Sequence, residues 1–179
     1  AYYAMKIIKE LGLPVSKKIR FVVGSDEESG WGDMDYYFQH EEAPDFGFSP
    51  DAEFPIINGE KGNVTIRLTF RGGNGAEYKL ESFKSGLREN MVPGTADAVV
   101  TAASADEAAS LAASFETFIK QEAKISGNAE LSDKTVTFHV VGKGAHGASP
   151  QSGINAATFL ATFLNDYSFA EGAYSFINT

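Results

Sequence analysis

Three consecutive acidic residues, Asp26, Glu27 and Glu28, form the densest group of chemically active side chains in the sequence. Ionised carboxylates this close together repel one another, so the group favours a bound cation. A carboxylate can bind a divalent metal ion, and one beside a metal-bound water can act as a general base. Because side chains of neighbouring residues in a loop diverge, Glu27 and Glu28 can divide these two tasks. The pattern therefore indicates metal-assisted hydrolysis.

The charge distribution supports this interpretation. Between Phe21 and Glu60 the sequence has eleven acidic residues and no Lys or Arg, whereas the rest of the chain has thirteen acids and fifteen bases. A structural alternative stays open, in which the acidic loop caps a helix that begins near Asp33, since negative charge is favourable at a helix N-terminus. The long stretch without a basic residue favours the metal.

Apolar segments predict that two strands position the acids. Ile19–Val23 is typical of a buried parallel strand, and Phe46–Phe48 of a second, shorter one that ends near Asp51. The predicted helix-strand-helix-strand order places the two strands parallel in one sheet. Ligands of such sheets bind at the carboxyl ends of the strands, so Asp51 is expected to supply a second metal ligand at that edge.

His146 lies in a glycine-rich segment, Gly142–Gly147, that literally matches G-x-G-x-x-G. Dinucleotide binding is nevertheless disfavoured, because Pro150 delays the next helix, His146 stands where a pyrophosphate would approach, and no acidic residue ends a following strand. The glycines are expected to free a loop that presents His146. An exposed imidazole among small residues suits a hydrogen-bond donor to a developing oxyanion.

The other two histidines are expected to be surface residues. His139 is predicted in the middle of a strand, on the same face as Thr137 and Val141, and His40 at a solvated helix end.

The remaining elements fall into two regions that meet near Asn58–Gly62. The first region also contains an amphipathic helix that ends at Gly12 and a short helix. The short helix is expected to have Asp33 as its N-cap and to carry Met34, Tyr37 and Phe38 along its inner face. In the second region, the spacing of apolar residues predicts strands at Asn63–Arg71, Tyr78–Phe83 and Asp97–Ala102. A capping box at Ser104 and Glu107 predicts the start of a helix that runs to about Lys124. A hairpin of Ala129–Leu131 and Thr135–Val141 and a last helix at Ser152–Leu164 are predicted after it.

Composition restricts the class of protein. The 179 residues are 43% hydrophobic with fourteen Phe, enough for a core, and the net charge of −9 argues against a nucleic-acid or anionic-membrane partner. No apolar run approaches the ~20 residues that span a bilayer. Without cysteine, any metal must be held by carboxylate and imidazole. A cytoplasmic location is expected. The chain is also expected to be a fragment of a longer enzyme, because it opens inside a helical pattern and closes on an apolar run.

Three ordered motifs resemble those of the zinc aminoacylase/carboxypeptidase-type metallopeptidases, and are most similar to PepV-type (Xaa-His) bacterial dipeptidases. They are Gly24–Gly30, Ser49–Asp51 and Gly144–Pro150, the last followed by Gly153–Ala156. The resemblance covers essentially the whole chain. It implies that residues 1–60 are a segment of an α/β zinc-binding catalytic domain. Residues 61–179 would form an α+β lid domain, a ferredoxin-like open sheet with helices on one face, incomplete at its C-terminal end.

The resemblance also implies roles for individual residues. Glu27 would be the general base for a water that bridges two zinc ions, and Glu28 and Asp51 would each ligate one zinc. His146 would reach the carbonyl oxygen of the scissile bond of a dipeptide, and Asn90 would contact the substrate.

The departures from the family pattern limit the expected activity. The family's upstream His-x-Asp motif is absent, as are the last His ligand and a lid Arg downstream, so this chain alone is expected to bind zinc weakly and to be inactive. Two alternatives stay open: an N-acyl amino acid deacylase of the same family, and a non-enzymatic module whose acidic loop binds a cation while the second region mediates association. The oligomeric state is left open.

Overall fold

A computed structural model describes residues 1–51, 54–62, 64–68 and 77–169. The chain divides into two compact units, Ala1–Glu60 and Lys61–Thr179. Each unit is described by itself.

The unit Ala1–Glu60 contains two helices, α1 (Tyr2–Glu10) and α2 (Gly32–His40). The first helix follows the predicted amphipathic pattern, with Leu11 as its C-cap and Gly12 in the left-handed region at φ 61°. Helix α2 contains the predicted Met34 and Tyr37, which are half-buried, while Phe38 is exposed, contrary to the prediction. No described hydrophobic side chain of this unit is fully buried.

The two strands predicted in this unit are not formed. Neither Ile19–Val23 nor Phe46–Phe48 has strand geometry, and both segments are exposed. A strand requires a neighbour that pairs with its backbone N–H and C=O groups, and the described residues of this unit supply none. The predicted α/β sheet is therefore not confirmed for residues 1–60.

The unit Lys61–Thr179 is an α+β layer. Its described elements, in chain order, are β1 (Tyr78–Ser85), β2 (Met91–Val92), β3 (Thr95–Ala102), α3 (Ala105–Gln121), β4 (Ser126–Ser132), β5 (Thr135–Val141), β6 (Ala145–His146), a short 3₁₀ helix (Pro150–Ser152) and α4 (Ala156–Leu164). The predicted strand over Asn63–Arg71 is absent from residues 64–68, and the rest of that segment lies outside the described residues.

Four strands form an open antiparallel sheet in the order β1-β3-β5-β4. The run β3-α3-β4-β5-α4 follows the order of a ferredoxin-like unit, and β1 lies beside β3. Alternate residues of β3 and β5 are buried, so one face carries the core and the opposite face is more exposed. The four strands and two longer helices predicted for this sheet are confirmed, with ends shifted by a few residues.

Helices α3 and α4 cover the buried face of the sheet. The capping box that begins α3 is present: Ser104 Oγ accepts a hydrogen bond from the Glu107 amide, and the Glu107 carboxylate accepts one from the Ser104 amide. Asn155 caps α4 through its side-chain oxygen. Phe115 of α3 lies 4.8 Å from Phe138 of β5 and 5.0 Å from Phe163 of α4, measured between ring centroids, so these aromatic rings join both helices to the sheet.

Strands β2 and β6 form a separate two-stranded ribbon outside the main sheet. The pairing places Met91 opposite His146 and Val92 opposite Ala145. Reciprocal hydrogen bonds between Lys143 and Ile154, of 2.8 and 2.9 Å, tie the segment after β5 to the start of α4. None of the helices in the described residues has the length and apolar character to cross a bilayer.

Candidate functional site

The acidic loop between residues 24 and 33 is built around the Asp33 carboxylate. This carboxylate accepts hydrogen bonds from the backbone amides of Ser25 and Asp26, the latter at 3.1 Å, and from the amide of Met34 at 2.8 Å. The amide of Ser25, followed by the other amides, lowers the pKa of Asp33 below its ordinary value. The prediction that Asp33 is the N-cap of α2 is wrong. Trp31 takes that position, with its backbone in the left-handed region. Asp33 instead holds the entering loop against the first turn.

Asp26 holds the other side of the loop. Its carboxylate accepts a hydrogen bond from the Gly32 amide at 2.8 Å, and its carbonyl oxygen accepts from the amides of Ser29, Gly30 and Trp31 at 3.0 to 3.3 Å. Short Asp side chains commonly bond to nearby backbone in this way. Asp26 and Asp33 therefore act mainly as structural acids in this loop.

Glu27 and Glu28 lie in the turn that Asp26 closes, and both are exposed. Asp51 is also exposed, on a segment without regular secondary structure. Because neither predicted strand forms, the described residues do not provide the sheet edge that was expected to bring Glu28 and Asp51 together. The loop therefore presents Glu27 and Glu28, and the position of Asp51 as their partner stays a prediction.

The described residues do not fit a complete zinc centre by themselves. Zinc sites in proteins use three or four protein ligands, chiefly His, Cys, Asp and Glu. In the described part of the chain no group of three or more such side chains is placed to hold a metal ion. Glu28 and Asp51 would supply at most two ligands, so a zinc centre that used them would need further ligands from outside the described residues.

The β2–β6 ribbon brings together the two other candidate residues. Strand pairing sets His146 opposite Met91, and the Gly147 amide donates to the Asn90 carbonyl oxygen at 2.6 Å. A Cβ atom at Gly147 would lie 2.8 Å from that oxygen, closer than atoms can approach, so only glycine permits this contact. Asn90 and His146 therefore occupy adjoining positions on one ribbon.

The His146 side chain folds over its own turn. Its Nδ1 atom lies 3.1 Å from the Ala148 amide nitrogen, and the His146 carbonyl oxygen accepts from the Ser149 amide at 2.9 Å. The side chain of Lys61 reaches the same turn, where its Nζ donates to the Ala148 carbonyl oxygen at 2.6 Å. The ribbon thus holds an exposed imidazole in a defined orientation. The contact between Lys61 and Ala148 was not predicted from the sequence, because 87 positions separate the two residues.

The glycines of the G-x-G-x-x-G match serve this ribbon. No helix opens at Gly147, since α4 begins only at Ala156, after the short 3₁₀ helix. Gly142 and Gly147 are in close contact with backbone atoms of Ile154 and Asn90. These glycines therefore permit close approach of one backbone segment to another, whereas a dinucleotide fingerprint would need a helix that opens at the third glycine.

The two remaining histidines are surface residues, as predicted. His139 lies on the open face of the sheet, where its Nδ1 is 2.6 Å from Asp97 Oδ1 of the neighbouring strand. This pair was not predicted from the sequence, although strand alternation places both residues on the same face. His40 donates from Nδ1 to the Tyr36 carbonyl oxygen at 2.8 Å and stacks on the Tyr36 ring. Neither residue adjoins the β2–β6 ribbon in sequence.

Similarity to known proteins extends along nearly the whole chain. No protein-family model matches it. It is 41% identical over 179 residues to the Beta-Ala-Xaa dipeptidase of Lactobacillus delbrueckii subsp. lactis, covering 99% of this chain and 37% of that protein. It is 40% identical to the putative dipeptidase YtjP of Bacillus subtilis (strain 168) and 38% identical to a putative dipeptidase of Staphylococcus aureus (strain bovine RF122 / ET3-1), covering 99% of this chain and 38% of each relative.

The chain therefore spans less than two fifths of the length of these relatives. Along nearly all of its own length it is similar to part of proteins that are named dipeptidases.

Proposed function

We propose that this chain is part of a dipeptidase, a hydrolase that cleaves the peptide bond of a dipeptide. One observation carries the proposal: about 40% identity along 99% of the chain to proteins named dipeptidases. The acidic turn and the histidine ribbon are built from residues of the types that peptide hydrolysis uses, a carboxylate base and a hydrogen-bond donor for the oxyanion.

Glu27 is proposed as the general base. The Asp26 and Asp33 carboxylates are already bonded to backbone amides, so they are less suited to accept a proton from water. Glu27 lies exposed at the turn, where a water and a substrate can approach. Abstraction of a proton from water by a positioned carboxylate typically contributes ~10²- to 10⁴-fold to the rate.

His146 is proposed as the donor that stabilises the oxyanion, with Asn90 as a substrate contact. The charge that develops on the carbonyl oxygen during hydrolysis needs a donor that is already oriented, because reorientation during the reaction would cost energy. The ribbon contacts of His146 and Gly147 supply such an orientation. Asn90 lies beside them through the Gly147 amide.

Zinc is proposed separately, on the resemblance alone. Glu28 and Asp51 are the proposed ligands, and any further ligands would come from outside the described residues, which contain no group of three. We accordingly expect the 179-residue chain by itself to bind zinc weakly and to be inactive. Metal analysis of the longest natural polypeptide that contains this chain tests the zinc proposal independently of the substrate.

The experiment that tests the function uses that same longest polypeptide, assayed with a panel of β-alanyl and α-aminoacyl dipeptides and of N-acetyl amino acids. Dipeptide hydrolysis is expected. Glu27→Gln should lower kcat by ~10²-fold or more, and His146→Ala by ~10²- to 10³-fold. Glu10→Gln is the matched control, because Glu10 is an exposed acid paired with Lys6 on α1.

Four outcomes would contradict the proposal or one of the roles assigned in it. Hydrolysis of N-acetyl amino acids but not of dipeptides would favour the deacylase. Hydrolysis of neither class of substrate would favour a binding module. Full activity of Glu27→Gln would remove Glu27 from the mechanism. Loss of metal from Glu27→Gln with an intact fold would indicate that the roles of Glu27 and Glu28 are exchanged.

A further inference from the structure

The His146 ring accepts a hydrogen bond where the other two histidines donate one. The Ala148 amide, 3.1 Å from Nδ1, can only donate, so Nδ1 of His146 must present its lone pair. A neutral imidazole carries one proton, which must then be on Nε2. In this tautomer Nε2–H is a donor, which is what an oxyanion requires.

His40 and His139 have the opposite arrangement. Their Nδ1 atoms face oxygen acceptors, the Tyr36 carbonyl at 2.8 Å and the Asp97 carboxylate at 2.6 Å. Each must therefore donate from Nδ1 when the ring is neutral. The chain contains three histidines, so His146 is distinguished from both others by the nitrogen that carries the proton.

The donor of this hydrogen bond is itself held in place from two sides. On one side, the Gly147 amide donates to the Asn90 carbonyl oxygen at 2.6 Å. On the other, the Lys61 ammonium donates to the Ala148 carbonyl oxygen at 2.6 Å. Hydrogen bonds from a charged donor are stronger than those between neutral groups. The two contacts hold the peptide groups on either side of the 147–148 peptide, whose N–H faces the ring, and so limit the rotation of that peptide.

We infer that Lys61 and the backbone amide of Ala148 are positioning groups that keep His146 in the tautomer protonated on Nε2. The catalytic consequence, a ready oxyanion donor, rests on the proposed dipeptidase function. The tautomer does not rest on it, because it follows from the hydrogen bonds of the ribbon alone. The hydrogen bond of Lys61 goes to the Ala148 carbonyl oxygen, so Lys61 acts on His146 through Ala148.

The tautomer is measured by ¹⁵N–¹H correlation spectra of the 179-residue chain labelled with ¹⁵N-histidine, at a pH where the rings are neutral. We expect an unprotonated Nδ1 for His146 and a protonated Nδ1 for His40 and His139. Replacement of each histidine in turn by Gln assigns the signals. A protonated Nδ1 at His146, or equal populations of both forms, would overturn the inference.

Two pairs of variants test the positioning groups. Ala148→Pro removes the amide hydrogen, and Ala148→Ser keeps it. Lys61→Met removes the ammonium, and Lys134→Met is its matched control, because the Lys134 Nζ donates to another exposed carbonyl, that of Ala103, at 2.9 Å. We expect Ala148→Pro and Lys61→Met to raise the Nδ1–H fraction of His146 by about two- to twelve-fold, the factor carried by one net hydrogen bond. The controls should match the parent chain.

If circular dichroism shows that Ala148→Pro does not fold, the comparison of Lys61→Met with Lys134→Met tests the positioning role. Equal tautomer ratios in Lys61→Met and Lys134→Met would overturn the role of Lys61. In the longest natural polypeptide, Lys61→Met should lower kcat by about two- to twelve-fold, again the factor of one hydrogen bond, with KM little changed. Absence of dipeptide hydrolysis together with the expected tautomer would refute the proposed function and leave the tautomer inference standing.

Discussion

Two glycines in the segment after β5 should respond differently to the same substitution. A Cβ atom at Gly142 would lie 2.3 Å from the Ile154 carbonyl oxygen, about 1.1 Å short of the 3.4 Å at which ordinary contact begins. At Gly144 the nearest atom is the Val92 carbonyl oxygen, 3.7 Å away. Neither residue has φ in the left-handed region, so the difference between Gly142→Ala and Gly144→Ala is one of space alone.

The expected cost of Gly142→Ala follows from what the Ile154 carbonyl does. It accepts the Lys143 amide at 2.9 Å, and a displacement of the required size would break that hydrogen bond. Overpacking costs ~1–3 kcal/mol and the lost bond ~0.5–1.5 kcal/mol, or about 1.5–4.5 kcal/mol together. Gly144→Ala should be neutral or stabilise by up to ~1 kcal/mol, because alanine restricts the unfolded chain.

Thermal unfolding of the 179-residue chain, followed by far-UV circular dichroism, measures both effects. For a unit of this size we expect the Tm of Gly142→Ala to fall by about 6–18 °C. The Tm of Gly144→Ala should stay level or rise slightly. A Gly142→Ala variant that melts with the parent chain would refute the reasoning, as would equal losses in both variants, because the ribbon would then not be packed as described.

Two further predictions concern the acidic loop and the core. Since amides lower the pKa of Asp33 below 3.8, its stabilisation of the loop is present above that value and is lost as the pH falls through the folded-state pKa. Fluorescence of Trp31, the single tryptophan, should therefore show an acid transition that Asp33→Asn removes; an unchanged transition would contradict the role of Asp33. Phe115→Ala should cost ~3–5 kcal/mol in urea unfolding, while Leu87→Ala, whose parent side chain is 100% exposed, should change stability by less than ~0.5 kcal/mol; equal losses would refute the assigned core.

The sheet and its helices could be predicted because their signals are local. Alternation in β3 and β5 shows directly in the buried residues of each strand, and the capping box of α3 lies within four consecutive residues. The β2–β6 ribbon could not be predicted in this way, because strands of two residues have no period to detect. Its register depends instead on glycine contacts between distant segments, such as that of Gly147 with Asn90.

The failed strand predictions in residues 1–60 have a different physical cause. An apolar run such as Ile19–Val23 signals a segment suited to burial on both faces, but it carries no information about which segment covers it. Val23 is 77% exposed and Phe48 81% exposed, and the described residues of this unit pair with neither segment. The pattern indicates the tendency to be buried, whereas the strand depends on a partner.

The acidic loop shows why the sequence alone left two interpretations open. A count of charges does not distinguish one acidic residue from another, so it cannot tell a metal site from a helix cap. In the structure the acidic residues differ by the length of their side chains. The carboxylates of Asp26 and Asp33 accept hydrogen bonds from amides of the loop and of the first turn of α2, as short acidic side chains tend to do. Glu27 and Glu28 carry one more methylene and lie exposed at the turn between them. The hydrogen bonds of the aspartates thus fix the turn that presents the glutamates, and it is the glutamates for which we propose chemistry.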